Sequence, residues 1–298
     1  NMSTCSRKFQ EAETELNSYL NHREIRDSRY IDLLKKCLID YQNIGSEETF
    51  LLNQVQTTWK IRLLSPFNKL LRTRNFGIVK FKNVQRDKRI NGNDWPANAK
   101  TMVGLQRLNN VQFCIEKILD ENIIGDFVET GIWRGGVIML MKAILDEREL
   151  QSRTIWAFDS FEGLPKPNHH KYPLDKKNTL FKQRILKVSL NEVKNNFKAY
   201  NIPIEGIEFE QGWFKDTLPN NRIKHISLLR LDGDLFESTI LSLENLYPLV
   251  SKGGFIIIDD YNAFHIFKKA VDKYRSFHQI DDPLIKIDNE AVYWQKST

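Results

Sequence analysis

The sequence predicts an α/β protein: a mostly parallel seven-stranded sheet that ends in a C-terminal antiparallel hairpin, preceded by a helical N-terminal segment. Three observations predict it. From about residue 101 onward, short apolar runs of strand length alternate with helix-like stretches, the pattern of parallel strands covered on both faces. Two of these runs end on paired carboxylates, Arg230-Leu231-Asp232-Gly233-Asp234 and Phe255-Ile256-Ile257-Ile258-Asp259-Asp260-Tyr261, and adjacent strand ends of such a sheet open onto one crevice. The last two strand-like segments, 283–288 and 291–295, are separated only by Asn289-Glu290, a connection so short that it forces an antiparallel pair.

Residues 1–95 read as a helical and irregular segment in front of a domain over 96–298. Residues 11–19 and 31–41 are rich in helix formers. In the second stretch Ile31, Leu34, Cys37, Leu38 and Tyr41 share one face, with Lys35, Lys36 and Asp40 off it. Ser65-Pro66 reads as a helix start, with Ser65 as N-cap and Pro66 in the first turn, and no strand pattern is evident nearby. Asn91-Gly92-Asn93-Asp94-Trp95-Pro96 is a cluster of turn residues and marks the boundary. Leu105, Leu108, Val111, Ile115 and Ile118 then give a helix over about 101–121. A strand over 125–131 runs into a glycine turn and a helix over 137–145, and a second strand follows at 154–158. Ser189 with Glu192 forms a capping box for a helix to about Tyr200. Strands at 207–209, 226–231 and 255–258 follow, with a helix at 238–247 between the last two.

Composition sets the outer limits. The 298 residues are 41% hydrophobic and 28% charged, and no apolar run approaches the roughly 20 residues of a membrane span, so a soluble cytoplasmic protein without a membrane partner is expected. No signal-peptide pattern is evident, and Met2 is expected to be the natural first residue. Cys5, Cys37 and Cys114 have neither disulfide-framework nor metal spacing, which fits a reducing compartment. The net charge of +6 is modest, yet ten basic residues and a single acid, Asp87, lie between Lys60 and Arg89. That block is either a nucleic-acid surface or the solvated face of an accessory helix.

Four acids, Asp232, Asp234, Asp259 and Asp260, are thus expected on one rim. Carboxylates crowded together hold protons unless a cation neutralises them, and an all-oxygen set suits Mg²⁺ or another hard divalent ion better than zinc. The plainer reading is that Asp234 and Asp260 each cap a following helix. Glu129-Thr130-Gly131-Ile132-Trp133-Arg134-Gly135-Gly136 sits where a nucleotide-binding turn belongs, but Trp133 occupies the place where a dinucleotide fingerprint has its second glycine. That glycine lets backbone approach a pyrophosphate, and a cofactor without phosphates does not need it. S-adenosylmethionine fits, with Glu129 or the adjacent turn toward its amino group and Asp159 toward its ribose hydroxyls. Trp133 and Trp213 either wall that cofactor or pack in the core, and His169 and His170 lie in a proline-flanked loop that favours solvent.

A resemblance adds to this. Thr101-Met102-Val103-Gly104 with Arg107-Leu108-Asn109-Asn110, the glycine turn, Asp159-Ser160-Phe161-Glu162-Gly163-Leu164-Pro165, Gly212-Trp213-Phe214-Lys215-Asp216-Thr217-Leu218-Pro219, Asp232-Gly233-Asp234, Asp259-Asp260-Tyr261 and Val292-Tyr293-Trp294 follow one family's order and approximate spacing. From about Tyr30 to its end the chain resembles the macrocin O-methyltransferase family, which methylates sugar hydroxyls on antibiotics. The resemblance implies a Rossmann-like, S-adenosylmethionine-dependent O-methyltransferase and a glycosylated small-molecule acceptor; the basic block adds the alternative of an acidic one. It implies metal ligands at Asp232, Asp259 and Asp260, a general base at Asp234, and catalytic participation of Asp232. It implies cofactor contacts at Thr101, Met102, Glu129, Thr130, Gly131, Asp159, Ser160, Gly212, Trp213 and Asp232. Two departures concern the acceptor: His169-His170-Lys171-Tyr172-Pro173 replaces an acidic stretch ending in His-Pro, and the segment between Ile31 and Thr101 is longer.

An alcohol is a poor nucleophile toward a sulfonium methyl group, so metal-assisted stabilisation of developing alkoxide, with Asp234 as proton acceptor, is the expected chemistry. Two alternatives stand beside it: an RNA methyltransferase, disfavoured because the acidic rim repels phosphate, and a non-catalytic S-adenosylmethionine-binding protein. A homo-oligomer is expected. The basic block from Lys60 to Arg89, interspersed with Ile61, Leu63, Phe67, Leu70, Phe76 and Phe81, is expected to form a lid that contacts an acceptor carrying negative charge.

Overall fold

The computed structural model describes residues 28–52, 58–150 and 152–297. The expected helix at 11–19, Cys5 and the chain start lie outside the described residues. The first described helix is α1 (Arg29–Leu38), capped by Ser28, whose hydroxyl accepts from Ile31 N. Strands β1 (Glu47–Leu51) and β2 (Val79–Asn83) pair antiparallel, with Glu47 opposite Asn83 and Leu51 opposite Val79, and helix α2 (Trp59–Arg72) rises between them. After α3 (Arg86–Ile90) comes α4 (Leu105–Asp120), and the main sheet begins. Its elements are β3 (Asp126–Thr130), α5 (Gly136–Glu147), β4 (Ile155–Asp159), α6 (Leu190–Ala199), β5 (Ile207–Gln211) and α7 (Phe214–Thr217). The chain continues through β6 (Ile226–Leu231), α8 (Phe236–Leu246), β7 (Val250–Ile258), α9 (His265–Phe277), β8 (Ile285–Lys286) and β9 (Val292–Gln295).

The seven strands run in the order β5-β4-β3-β6-β7-β9-β8, parallel from β5 to β7, with β9 antiparallel to both β7 and β8. This is the Rossmann-like sheet with a C-terminal hairpin that the sequence predicts. Alternation along each strand builds a core on either face. Phe255 and Ile257 of β7 pack with Leu108, Ile115 and Ile138 on one side, while Ile256 and Ile258 pack with Leu243, Ala270 and Val271 on the other. The hairpin turn is set by Asp288, whose Oδ1 accepts from Glu290 N and Ala291 N at 2.8 Å each. Ser189 accepts from Glu192 N at 3.2 Å and opens α6 as expected.

The N-terminal segment departs from expectation in three places. Helix α2 starts at Trp59 behind the Thr58 cap, so Ser65 is not its N-cap and Pro66 lies inside it. The β1–β2 pair is a strand signal that sequence reading passed over. Lys35 and Asp40, expected off the buried face, are both buried: Lys35 donates to Asn109 Oδ1 and Gln112 Oε1 at 2.8 Å each, and Asp40 accepts from Asn43 Nδ2 at 2.8 Å. Helix α2 carries no buried residue and shows Trp59, Leu63, Phe67 and Leu70 to solvent, at 68, 69, 56 and 61% exposure.

Candidate active site

The hydrogen-bond ladder continues one residue past the strands themselves. Gly131 N donates to Phe158 O, Asp232 N to Thr130 O, Asp259 N to Leu231 O and Gly212 N to Asp159 O, at 2.8 to 3.0 Å. The residues that follow β3, β5, β6 and β7 are therefore clamped side by side around the point where strand order reverses between β3 and β6, where α/β sheets bind ligands. A cavity of about 740 Å³ opens there. Among the expected cofactor contacts, Met102, Gly131, Asp159, Ser160, Gly212, Trp213 and Asp232 line it, and so do Asp234, Asp259 and Asp260. Thr101, Glu129 and Thr130 do not; they are buried behind the wall.

Each of those three has a local explanation. Thr101 turns its hydroxyl inward to accept from Val103 N at 3.2 Å. Thr130 Oγ1 accepts from Ser242 Oγ at 3.4 Å. Glu129 is paired with Arg230, the neighbouring residue across the β3–β6 ladder, and its second carboxylate oxygen has no hydrogen-bond partner among the described residues.

Asp159 shapes the glycine turn. Its Oδ2 accepts from Ile132 N at 2.9 Å and Trp133 N at 3.3 Å, and its Oδ1 from Phe161 N at 2.8 Å. Burial pushes its pKa up, and these backbone donors oppose that. Trp133 stands in the left-handed region (φ 48), with the Arg134 guanidinium 4.1 Å from its ring centroid and its indole N–H donated to Ile185 O at 2.8 Å. Arg134 is buried and donates to Ala99 O at 2.8 Å, so it serves the turn's packing. His169 and His170 face solvent, as expected.

The acidic rim is as crowded as the sequence suggests. One ligand atom each from Asp232, Asp259 and Asp260 can be chosen so that all lie within 4.8 Å of one another. Neither Asp234 nor Asp260 caps a helix: α8 begins after Leu235 and α9 after Phe264. Among the described residues, Asp260 Oδ2 is buried without a hydrogen-bond partner. Burial, then the charges of Asp232 and Asp259, raises Asp234 to about 8. Burial and the Asp259 charge raise Asp232 to about 6, and burial with its three acidic neighbours raises Asp260 well above the carboxylate range. Asp259 goes the other way: burial would raise it, but Arg107 and Arg230 together hold it below its ordinary value.

Those two arginines are the functional residues that sequence reading missed. Arg107, from α4, donates to Asp259 Oδ2 and Asp288 Oδ2 at 2.6 Å each and to Glu290 Oε2 at 2.7 Å. Arg230, 1% exposed, contacts Asp259 Oδ1 and Glu129 and reaches Asp232 Oδ2 at 3.1 Å. Arg230 precedes the acidic pair in the same strand run and Arg107 opens the Arg107-Leu108-Asn109-Asn110 motif, but neither stretch by itself assigned its arginine to Asp259. The basic block lies off the cavity, whose lining begins at Gly92 and includes Asn93, Asp94 and Trp95.

The comparisons agree with this geometry. The family described as Macrocin-O-methyltransferase matches residues 27–296. Demethyldecarbamoylnovobiocin O-methyltransferase of Streptomyces niveus is 48% identical over 207 residues, covering 69% of this chain and 79% of that protein. Mycinamicin III 3''-O-methyltransferase of Micromonospora griseorubida is 38% identical over 224 residues, covering 74% and 88%. The solved structure of the O-methyltransferase NovP superposes with a TM-score of 0.76 at 39% identity, covering 91% of this chain and 99% of that one. With a family match across nearly all of the described residues and a crevice at the expected strand ends, the chain belongs to the macrocin O-methyltransferase family of S-adenosylmethionine-dependent O-methyltransferases.

Proposed function

We propose that the protein methylates a sugar hydroxyl of a glycosylated secondary metabolite, with a hard divalent cation held by Asp232, Asp259 and Asp260 and with Asp234 as the proton acceptor. The observation that carries this reading is the acidic rim itself: four carboxylates on one cavity wall, with a buried Asp260 oxygen that has no hydrogen-bond partner among the described residues. The donor set is all oxygen, which suits Mg²⁺. Asp259 remains competent as a ligand although both its oxygens meet guanidinium groups, because an ionised carboxylate offers about four lone-pair sites. The relatives from Streptomyces niveus and Micromonospora griseorubida are O-methyltransferases of demethyldecarbamoylnovobiocin and mycinamicin III, and the glycosidic acceptor here is inferred from that likeness.

When bound, the cation supplies Lewis-acid polarisation of acceptor oxygens, and S-adenosylmethionine supplies an electrophilic methyl group. The chain's own residues do the rest. Asp234 takes the hydroxyl proton, help of the kind typically worth about 10² to 10⁴-fold. Arg107 and Arg230 keep Asp259 ionised and fixed. Gly131, Asp159 and Ser160 hold the cofactor, and Trp133 and Trp213 form apolar walls that exclude water. The test is methyl transfer to a panel of glycosides that includes demethyldecarbamoylnovobiocin, with and without EDTA. Turnover of none, with S-adenosylmethionine still bound, rejects the acceptor class; turnover unaffected by EDTA rejects the cation.

Two further outcomes follow from the same wall. Asp159→Ala should weaken S-adenosylmethionine by about 1 to 3 kcal/mol, the usual range for hydrogen bonds to a charged group, and unchanged affinity by calorimetry removes Asp159 from the cofactor site. The second outcome is a pH dependence. Asp234 has a folded pKa of about 8 against an ordinary 3.8, so the stability it contributes is full below 3.8 and is lost as pH rises through about 8. The ligand-free protein should therefore lose on the order of 1–2 kcal/mol between pH 6 and 8, allowing for solvent screening, or a few degrees in Tm. Mg²⁺ should raise Tm more at pH 8 than at pH 6, because it binds the ionised acids. Equal shifts at both pH values count against the assigned ligands.

A further inference from the structure

We propose that Asn178 is a positioning residue for Asp234, acting through the backbone of the turn that carries it; the proposal rests on the reading of Asp234 as proton acceptor. Asp234 sits in the left-handed region at φ 56, a conformation that a non-glycine residue adopts at some cost and keeps only when its surroundings hold it there. Nothing in its own turn does so. The turn is gripped instead from the long excursion between β4 and α6. Asn178 Nδ2 donates to Asp234 O at 2.7 Å, across 56 residues of sequence. Asp175, fully buried in the same excursion, takes Phe236 N on Oδ1 at 2.8 Å and Glu237 N on Oδ2 at 3.1 Å, and so caps α8 from outside the helix.

The grip is itself fixed. Asn178 Oδ1 accepts from Leu180 N at 2.9 Å, and Asn178 N donates to Asp175 O at 2.9 Å. With its oxygen committed to Leu180, the amide can present only its nitrogen to the Asp234 carbonyl, so the side chain has one orientation that satisfies both ends. Gly163, Leu164, Pro165, Lys166, Asn168 and Leu180 of the same excursion line the cavity. One segment therefore walls the acceptor space and sets the backbone angle from which the Asp234 carboxylate enters it. Displacement of a reacting group by about 1 Å can cost 10²-fold in rate, which is the scale of the expected effect.

The test uses the full chain with S-adenosylmethionine and demethyldecarbamoylnovobiocin as acceptor. Asn178→Ala removes the donor and the Leu180 contact; Asn178→Asp keeps the acceptor for Leu180 N, removes the donor and sets a carboxylate oxygen against Asp234 O. Both should lower kcat by about 10 to 100-fold with the KM for S-adenosylmethionine unchanged. In an Asp234→Asn background, Asn178→Ala should have no additional effect. Full kcat in Asn178→Asp, or a loss that multiplies with Asp234→Asn, means that Asn178 only folds its own loop, and overturns the proposal. A crystal structure of Asn178→Ala is the second readout, expected to show Asp234 displaced from φ 56; an unmoved Asp234 also overturns it. If Asp234→Asn alone keeps full activity, the general-base reading fails instead, whatever Asn178 does.

Discussion

Replacing Asp260 with alanine should abolish methyl transfer, by about 10³-fold or more, and leave S-adenosylmethionine affinity within about twofold. The reason is a division of labour along the sheet. The groups proposed to face the cofactor sit mainly after β3, β4 and β5, whereas the three clustered acids sit after β6 and β7. Among the described residues Asp260 Oδ2 has no hydrogen-bond partner, and the hydrogen bond that the Asp260 side chain does share is with Asp234, another acid of the rim. The same substitution takes one acid out of a mutually repelling set, and the ligand-free variant should melt no lower than the parent. Single-turnover rates, calorimetry and a melting curve read the three quantities. A loss of cofactor affinity comparable to the loss of rate means that the acids after β7 serve the cofactor and not the acceptor.

Gly131→Ala should damage both halves of the site at once. Gly131 has φ +83, and a Cβ there would lie 1.8 Å from Asp232 O, a backbone atom just past the end of the neighbouring strand β6. Relief is possible only by parting the ends of β3 and β6, which carries the glycine turn and the acidic rim away from each other. Left-handed strain alone is worth about 1–3 kcal/mol. Gly206→Ala supplies the comparison: its φ is +81, and its Cβ would have no neighbour nearer than Arg153 O at 4.0 Å. Gly206→Ala should therefore report the conformational cost alone, while Gly131→Ala adds the clash and loses both cofactor binding and turnover. Equal melting temperatures for the two variants would show that the strand ends yield freely.

Much of the sheet was legible because its signals are local. Ile226 to Leu231 and the residues before Asp259 are apolar runs that must be buried on both faces, and the Asn289-Glu290 spacing leaves no room for a crossover. The N-terminal segment was harder. β1 and β2 are short, and the apolar–charged alternation of Val79-Lys80-Phe81-Lys82 is a strand signal that the density of basic charge around it obscured. Pro66 looked like a helix start, but Thr58 lies upstream and the helix surface around the proline is open to solvent, where a lost backbone bond is least costly. At the site, the acids could be read from the sequence and their partners could not. Lys35 with Asn109, Arg107 with Asp288 and Asn178 with Asp234 meet only when distant elements dock, so no window of sequence contains both members.

The reach of Arg107 has a kinetic consequence. Its bonds to Asp259 and Asp288 close chain loops of 152 and 181 residues, and β9 must slot between β7 and β8 before Asp288 is in place. Contacts of such long range form late, after the local helices and the neighbouring parallel strands. During refolding, far-ultraviolet helical signal should therefore recover before the acidic rim exists, and catalytic competence should return with the slowest phase. The enzyme's own turnover thus becomes a stopwatch for the final step of its folding.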